Sequence, residues 1–160
     1  MLIRVGKMSE LNIRDYIYRE LSSDMQELAL EFVSYLENNN MTFIKDNGSY
    51  WKDKIYYWIQ FNGKCVCFIE IKYGRWTVWS DDMSSECLAD SEVREIAWKY
   101  INHCKQCGSC SGGKSKTVFG KVFDDVCGCT FRIDNPTSED LPFLKEMVEM
   151  HKKEILNASR

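Results

Sequence analysis

The sequence has only two histidines and two prolines among its 160 residues, and each scarcity excludes a class of protein. With so few histidines, no Ser/His/Asp or Cys/His set of a nucleophilic enzyme stands out. With so few prolines, and no repeat or low-complexity tract, nothing marks a linker between domains. The length suits one domain with a core of its own. We therefore expect a single domain over residues 1–160, and an enzyme is the less favoured class.

Long apolar runs and clusters of one charge are also missing. No apolar stretch approaches the roughly 20 residues that span a bilayer. The first residues contain Arg4, Lys7 and Glu10 where an export signal needs an apolar segment. The net charge is −3, and no basic run is longer than a pair, which disfavours nucleic acid. We expect a cytoplasmic protein with neither membrane nor nucleic acid as partner, and the oligomeric state stays open.

Apolar residues at helical spacing predict three main helical parts. The clearest pattern is "SSDMQELALEFVSYLENNN", where Ser23 and Gln26 predict a capping box. His151 lies on the inner stripe of the last helix, which is more typical of a hydrogen-bonded core residue than of a catalytic base. The predicted helical parts are residues 1–40, 91–104 and 138–157, the last entered through Thr137 or Ser138.

A strand meander is predicted over residues 41–80. "KIYYWIQF" and "KCVCFIEI" are separated by Asn62-Gly63, the preferred two-residue hairpin turn. Strict alternation from this turn predicts one face with Ile55, Tyr57, Ile59, Phe61, Val66 and Phe68. It predicts an opposite face with Tyr56, Trp58, Cys65, Cys67 and Ile69.

Further strands are predicted at "KTVFGKVF" and "CTFRID", after the second helix. Helices and strands follow one another without parallel βαβ alternation. The sequence therefore predicts an α+β domain with an antiparallel sheet of about five strands, covered by helices on at least one face.

A cysteine-rich loop is predicted over residues 104–129. Cys104-x2-Cys107-x2-Cys110 is followed by Cys127-x-Cys129, and thiolates at such spacing can converge on a tetrahedral zinc ion. We expect a zinc-binding module with ligands among these five cysteines. An iron–sulfur cluster is a less favoured occupant. The alternatives left open are buried structural thiols, His103 as a substitute ligand, and a thiol-redox protein.

The same loop also spells the phosphate-binding pattern G-x4-G-K-S, from Gly108 to Ser115. A phosphate loop needs a strand before the motif and a helix starting at the Lys-Ser pair. Here a helix is predicted before it, and the β-branched segment after it favours a strand. We therefore expect no nucleotide.

Tryptophan is the other conspicuous feature, with five residues in the chain. Trp58, Trp76 and Trp79 lie in the meander, where they can line a pocket for a small flat or cationic ligand. The competing interpretation is that they fill the core. Cys65 and Cys67 are expected to pack in the core rather than to bind metal.

Three segments carry a family resemblance: "WIQFNGKCVCFIEIKYGRWTVWSDD", "REIAWKYINHCKQCGSCSGGKSKTVFGKVFDDVCG" and "FRIDNPTSEDLPFLKEMVEMHKKEIL". They resemble an uncharacterised family of small, Cys-rich bacterial cytosolic proteins, over about residues 50–156. More distantly, the aromatic strand with "NGKCVCF", the meander and the closing helix look like the YdhG-like family, also called frataxin-like iron chaperones. That resemblance implies a compact α/β fold. The cysteine loop is not part of that family's pattern, so no iron role is carried over to any residue.

Overall fold

The structure is a computed structural model that describes residues 11–46, 54–72, 74–81, 91–106 and 112–158. Within these ranges the chain has four helices and one seven-stranded antiparallel sheet, which confirms the α+β class with two more strands than expected. The helices are α1 (Ile13–Glu20), α2 (Ser23–Asn38), α3 (Ser91–Lys99) and α4 (Leu141–Ala158). The strands are β1 (Thr42–Lys45), β2 (Ile55–Phe61), β3 (Lys64–Lys72), β4 (Arg75–Ser80), β5 (Ile101–His103), β6 (Lys114–Val118) and β7 (Lys121–Asp134).

The strand order in the sheet is β1-β2-β3-β4-β7-β5, and β6 pairs with β7 beside this path. The first four strands are consecutive antiparallel neighbours, as the predicted meander requires. The 14-residue strand β7 then joins three strands to one another, because it pairs with β4, β5 and β6.

The predicted Asn-Gly turn connects β2 to β3. Both of its residues have positive φ, 51° at Asn62 and 78° at Gly63, which is the geometry that favours this dipeptide. Gln60 pairs with Cys65, as the turn predicts, but the register then shifts: Ile59 pairs with Cys67, and Val66 is the extra residue of a β-bulge.

The bulge corrects the predicted assignment of residues to sheet faces. Because β3 gains one residue against β2, Trp58 pairs with Phe68 and Tyr57 pairs with Ile69. Cys67 and Ile69 join the main buried cluster, whereas Phe68 lies outside it. The prediction that Cys65 and Cys67 share a strand face was therefore wrong, since strict alternation does not anticipate a bulge.

One large core lies on the helix-covered face of the sheet. It includes residues of all four helices, such as Ile17, Phe32, Ala97 and Leu144. Trp76 is 2% exposed in this core, with its ring 6.4 Å from that of Phe32. Burial of such apolar surface is the main favourable term in folding.

Two helix ends differ from the prediction. The N-cap of α2 is Ser22, and the Gln26 side chain donates to the Leu21 carbonyl at 2.6 Å instead of completing a capping box with Ser23. The helix expected over residues 91–104 ends at Lys99, because the chain continues as β5 along β7. Cys104 therefore follows a strand.

The cysteine-rich loop is shorter than the predicted 104–129. Residues 114–129 belong to the β6–β7 hairpin, whose turn is formed by Phe119 and Gly120, both with positive φ. The last helix begins at Leu141, preceded by a turn in which Thr137 donates to the Asp140 carboxylate at 2.8 Å. None of the helices in the described ranges is both long and apolar enough to cross a membrane.

Candidate functional site

The bulged residue Val66 is held by a buried hydrogen-bond network. The Ser80 hydroxyl donates to the Val66 carbonyl at 3.0 Å, and the Ser80 side chain is fully buried. The His151 Nε2 atom lies 2.8 Å from the Ser80 Oγ atom and 3.1 Å from the Asp81 carbonyl oxygen. Because a carbonyl only accepts, this arrangement assigns the hydrogen to Nε2. His151 is thus a hydrogen-bonded core residue, as the sequence predicts.

The bulge completes a row of four apolar side chains and one arginine on the face of the sheet opposite the core. The row runs across five strands through directly paired residues: Ile44, Trp58, Phe68, Trp79 and Arg132. Residues paired in this way have side chains on the same face. At about 4.8 Å between strands, the row is roughly 19 Å long. We call it the aromatic row.

The rings of the aromatic row contact one another and Tyr56. The centroids of Trp58 and Phe68 are 4.8 Å apart in an edge-to-face arrangement, and Tyr56 lies 5.6 Å from Trp79. The row is covered unevenly: Phe68 is 9% exposed, but Trp58 is 38% and Ile44 is 43% exposed. The two indoles flank a buried centre, and the Trp58 end is accessible.

A polar row lies beside the aromatic row, at a distance of two residues on each strand. It contains Tyr56, Glu70, Thr77 and Asp134, again as paired neighbours. Glu70 is buried and forms an ion pair with Lys54, in which the Glu70 Oε1 and Lys54 Nζ atoms are 3.2 Å apart. Asp134 accepts from the Thr77 hydroxyl at 2.8 Å and from the Arg132 Nε atom at 3.1 Å.

These bonds set the charge of Asp134. Burial would raise the pKa of this carboxyl group, but hydrogen bonds from Thr77 and Arg132, with the Arg132 charge, lower the pKa below its ordinary value. Asp134 is consequently a carboxylate at neutral pH, and it orients the Arg132 guanidinium.

Three residues of the polar row, Glu70, Thr77 and Asp134, form the floor of a hollow of about 130 Å³. Lys72 and Arg75, at the ends of β3 and β4, line it together with Arg132. The Arg132 guanidinium also lies 5.5 Å from the centroid of the Trp79 ring. Arg132 therefore joins the hollow to the aromatic row. We call this hollow the cationic hollow.

The three tryptophans predicted to line one pocket are on two faces. Trp58 and Trp79 belong to the aromatic row, whereas Trp76 is buried in the core on the other side. Sequence reasoning placed Tyr56 on the same face as Trp58 but missed Phe68 and Arg132 as neighbours of the two indoles. The sequence gives no signal for the bulge that brings Phe68 between them.

Of the five predicted metal ligands, Cys107 and Cys110 lie outside the described residues. Cys104 lies at the base of their loop, where its backbone N–H donates to the Asp125 carbonyl at 2.6 Å. Gly113, on the other side of the loop, is close to the same point: a Cβ atom there would be 2.6 Å from that of Cys104. Both ends of the loop are therefore fixed against β7, near Cys127.

The thiol of Cys129 lies near those of Cys127 and Cys65, and the sequence had assigned Cys65 to the core. Burial raises the pKa of the Cys129 thiol to about 12, and nearby Asp81, Cys127 and Cys65 add to the increase. Burial, followed by the Asp81 charge, raises the pKa of Cys65 to about 11. Thiols with raised pKa values are poor nucleophiles at neutral pH, so Cys65 and Cys129 do not support a thiol-redox role.

Neither motif of the loop is complete within the described ranges. In that part of the chain no group of three or more His, Cys, Asp or Glu side chains is arranged to hold a metal ion. A strand begins at Lys114, where a phosphate loop needs a helix. The side chain of Lys114 is exposed.

No protein-family model, curated protein or solved structure matches this chain. The family resemblances drawn from the sequence stay predictions and contribute nothing to the choice of function.

The alkylation rates of Cys65 and Cys129 test whether the pKa values of these two thiols are raised in the folded protein. With pKa values near 11 and 12 instead of the ordinary 9, native Cys65 and Cys129 have far less thiolate at pH 8. We expect iodoacetamide to modify them about 100-fold to 1,000-fold more slowly than the same residues in urea. Their native rates should still increase tenfold per pH unit above pH 9. Peptide mapping by mass spectrometry measures each site, and equal rates in native and unfolded protein would contradict the account.

Proposed function

We propose that the protein is a non-enzymatic binding module that holds a small planar aromatic ligand on the aromatic row. The observation that supports this best is the accessible Trp58 at the end of a row of contacting aromatic rings, on the face away from the core. Aromatic rings in such pairs gain about 0.5–1.5 kcal/mol beyond the area that they bury. A flat ligand placed against Trp58 would gain the same kind of contact.

A purely structural role would account for the row less well. An indole that only fills space is expected to be buried, as Trp76 is at 2% exposure, but Trp58 is 38% exposed. Ile44, its paired neighbour on β1, is exposed to a similar degree. A contiguous exposed apolar surface bordered by polar residues is typical of a binding site.

Replacement of Trp58 tests this proposal. Trp58→Leu keeps an apolar side chain but removes the ring, so the affinity for indole should fall by about tenfold, the equivalent of 1.4 kcal/mol. Chemical-shift titration by NMR suits the weak binding expected of an open face. Trp76→Phe is the matched control, because it changes a tryptophan on the other face and should leave the affinity unchanged. Equal affinities of the wild type and Trp58→Leu, or no shift of the wild type with indole, would contradict the proposal.

A second candidate function is metal binding by the cysteine-rich loop, with zinc as the expected ion. The observation that favours it is the closure of the loop: Cys104 and Gly113 are held against β7 beside Asp125, two residues before Cys127. Cys107 and Cys110 belong to this closed loop by sequence. Thiolates that approach one another in a closed loop are typical of structural zinc sites.

Elemental analysis of protein purified without added metal tests the second candidate. We expect about one equivalent of zinc in the wild type and a clear loss in Cys107→Ser and Cys127→Ser, since each removes a thiolate ligand. Cys67→Ala is the control, because Cys67 is fully buried in the core and should not affect the metal content. Less than about 0.2 equivalents of any transition metal in the wild type would instead indicate structural thiols.

A further inference from the structure

We propose that the ligand of the aromatic row is an anion, a planar aromatic molecule whose carboxylate or phosphate group is bound in the cationic hollow. This inference rests on the proposed function and narrows its ligand class. It also decides against a cationic ligand, which the tryptophans alone would equally accept.

The charges around the hollow are the first argument. Three cationic side chains and two carboxylates line it: Lys72, Arg75 and Arg132, with Glu70 and Asp134. This local excess of positive charge occurs on a chain whose net charge is −3. Both carboxylates already have cationic partners, Glu70 with Lys54 and Asp134 with Arg132. An anion would therefore meet the positive excess.

The pairing of Lys72 with Arg75 is the second argument. The two residues face each other directly across β3 and β4, and both line the hollow. Like charges directly opposite each other in a sheet are destabilising. Arg75 has no carboxylate partner among the residues that the structure describes. An anion bound beside Arg75 would offset its charge and so reduce this repulsion.

The shape of the site is the third argument. Buried Glu70 and Thr77 make the floor polar and fixed, and the volume of about 130 Å³ is enough for a carboxylate or a phosphate group. Arg132 uses its Nε atom for Asp134, which leaves its terminal N–H groups for an acceptor. The polar row is about 7 Å from the aromatic row, and the backbones of Lys72 and Arg75 lie about 7 Å further along the strands, so their long side chains can reach an acid group of a small molecule that contacts the aromatic row.

Three probes share the indole ring and differ in charge: indole, the anion indole-3-acetate and the cation tryptamine. Their affinities separate the contribution of the charge from that of the ring. In low salt the wild type should bind indole-3-acetate about tenfold more tightly than indole, and tryptamine more weakly than indole. Salt at 0.5 M should remove most of the difference, because it screens exposed charges. Indoxyl phosphate identifies the acid group: whether it binds more or less tightly than indole-3-acetate, a preference of either anion over indole supports the proposal.

Arg75→Ala locates the anion. It should reduce the affinity for indole-3-acetate to about that of indole, leave indole binding unchanged, and leave the protein at least as stable, because it removes one of two facing like charges. Arg19→Ala is the matched control, since Arg19 is an exposed arginine on α1 and should change nothing. Thermal melting verifies that each variant is folded.

The possible results distinguish failure of the anionic-ligand inference from failure of the proposed function. If all three probes bind with equal affinity and Trp58→Leu weakens their binding, the proposed aromatic site is supported and the inference of an anionic ligand is wrong. If tryptamine binds most tightly, or if Arg75→Ala leaves the preference for indole-3-acetate unchanged, the inference is also overturned. If none of the probes binds the wild type, the proposed function fails together with it.

Discussion

The hydrogen bond from the Ser80 hydroxyl to the Val66 carbonyl holds the one extra residue of β3, and this extra residue decides which side chains of β3 face the core. Val66 has no partner on β2, so its carbonyl needs another donor. Ser80 supplies that donor from β4, and His151 on α4 supports Ser80. Every residue of β3 beyond the bulge is thereby turned to the face opposite the one that strict alternation would give.

This change of face explains why Phe68 lies in one row with Trp58 and Trp79. Cys67 and Ile69 turn toward the helices and complete the core, whereas Phe68 turns away and fills the gap between Trp58 and Trp79. Without the bulge, the charged side chain of Glu70 would turn toward the core. The bulge allows β3 to contribute apolar residues to the core and polar residues to the other face at the same time.

The fold was predictable where local chemistry decides it. The Asn62-Gly63 turn, the meander and the helical periodicity are determined by residues that are close in sequence. The Phe119-Gly120 turn was not anticipated, because a phenylalanine at positive φ is costly on its own. It is held by packing, since Phe119 is buried with its ring 5.9 Å from that of Phe131.

The candidate site was only partly predictable for the same reason. Trp58 and Trp79 were identified by residue type, but Arg132 comes from a strand more than 50 residues further along the chain. The cationic hollow is assembled from β3, β4 and β7, and a single sequence does not indicate which strands become neighbours. The end of α3 was likewise decided by strand pairing, because residues 101–103 pair with β7 as the strand β5.

Nuclear Overhauser effects from the Trp58 ring test the bulge most directly. The account predicts strong effects between the ring protons of Trp58 and those of Phe68, whose centroids are 4.8 Å apart. It predicts none between Trp58 and the β-protons of Cys67, which point to the core. Effects from Trp58 to the Cys67 side chain, with none to the Phe68 ring, would indicate an uninterrupted β2–β3 ladder and would contradict both the aromatic row and the function proposed for it.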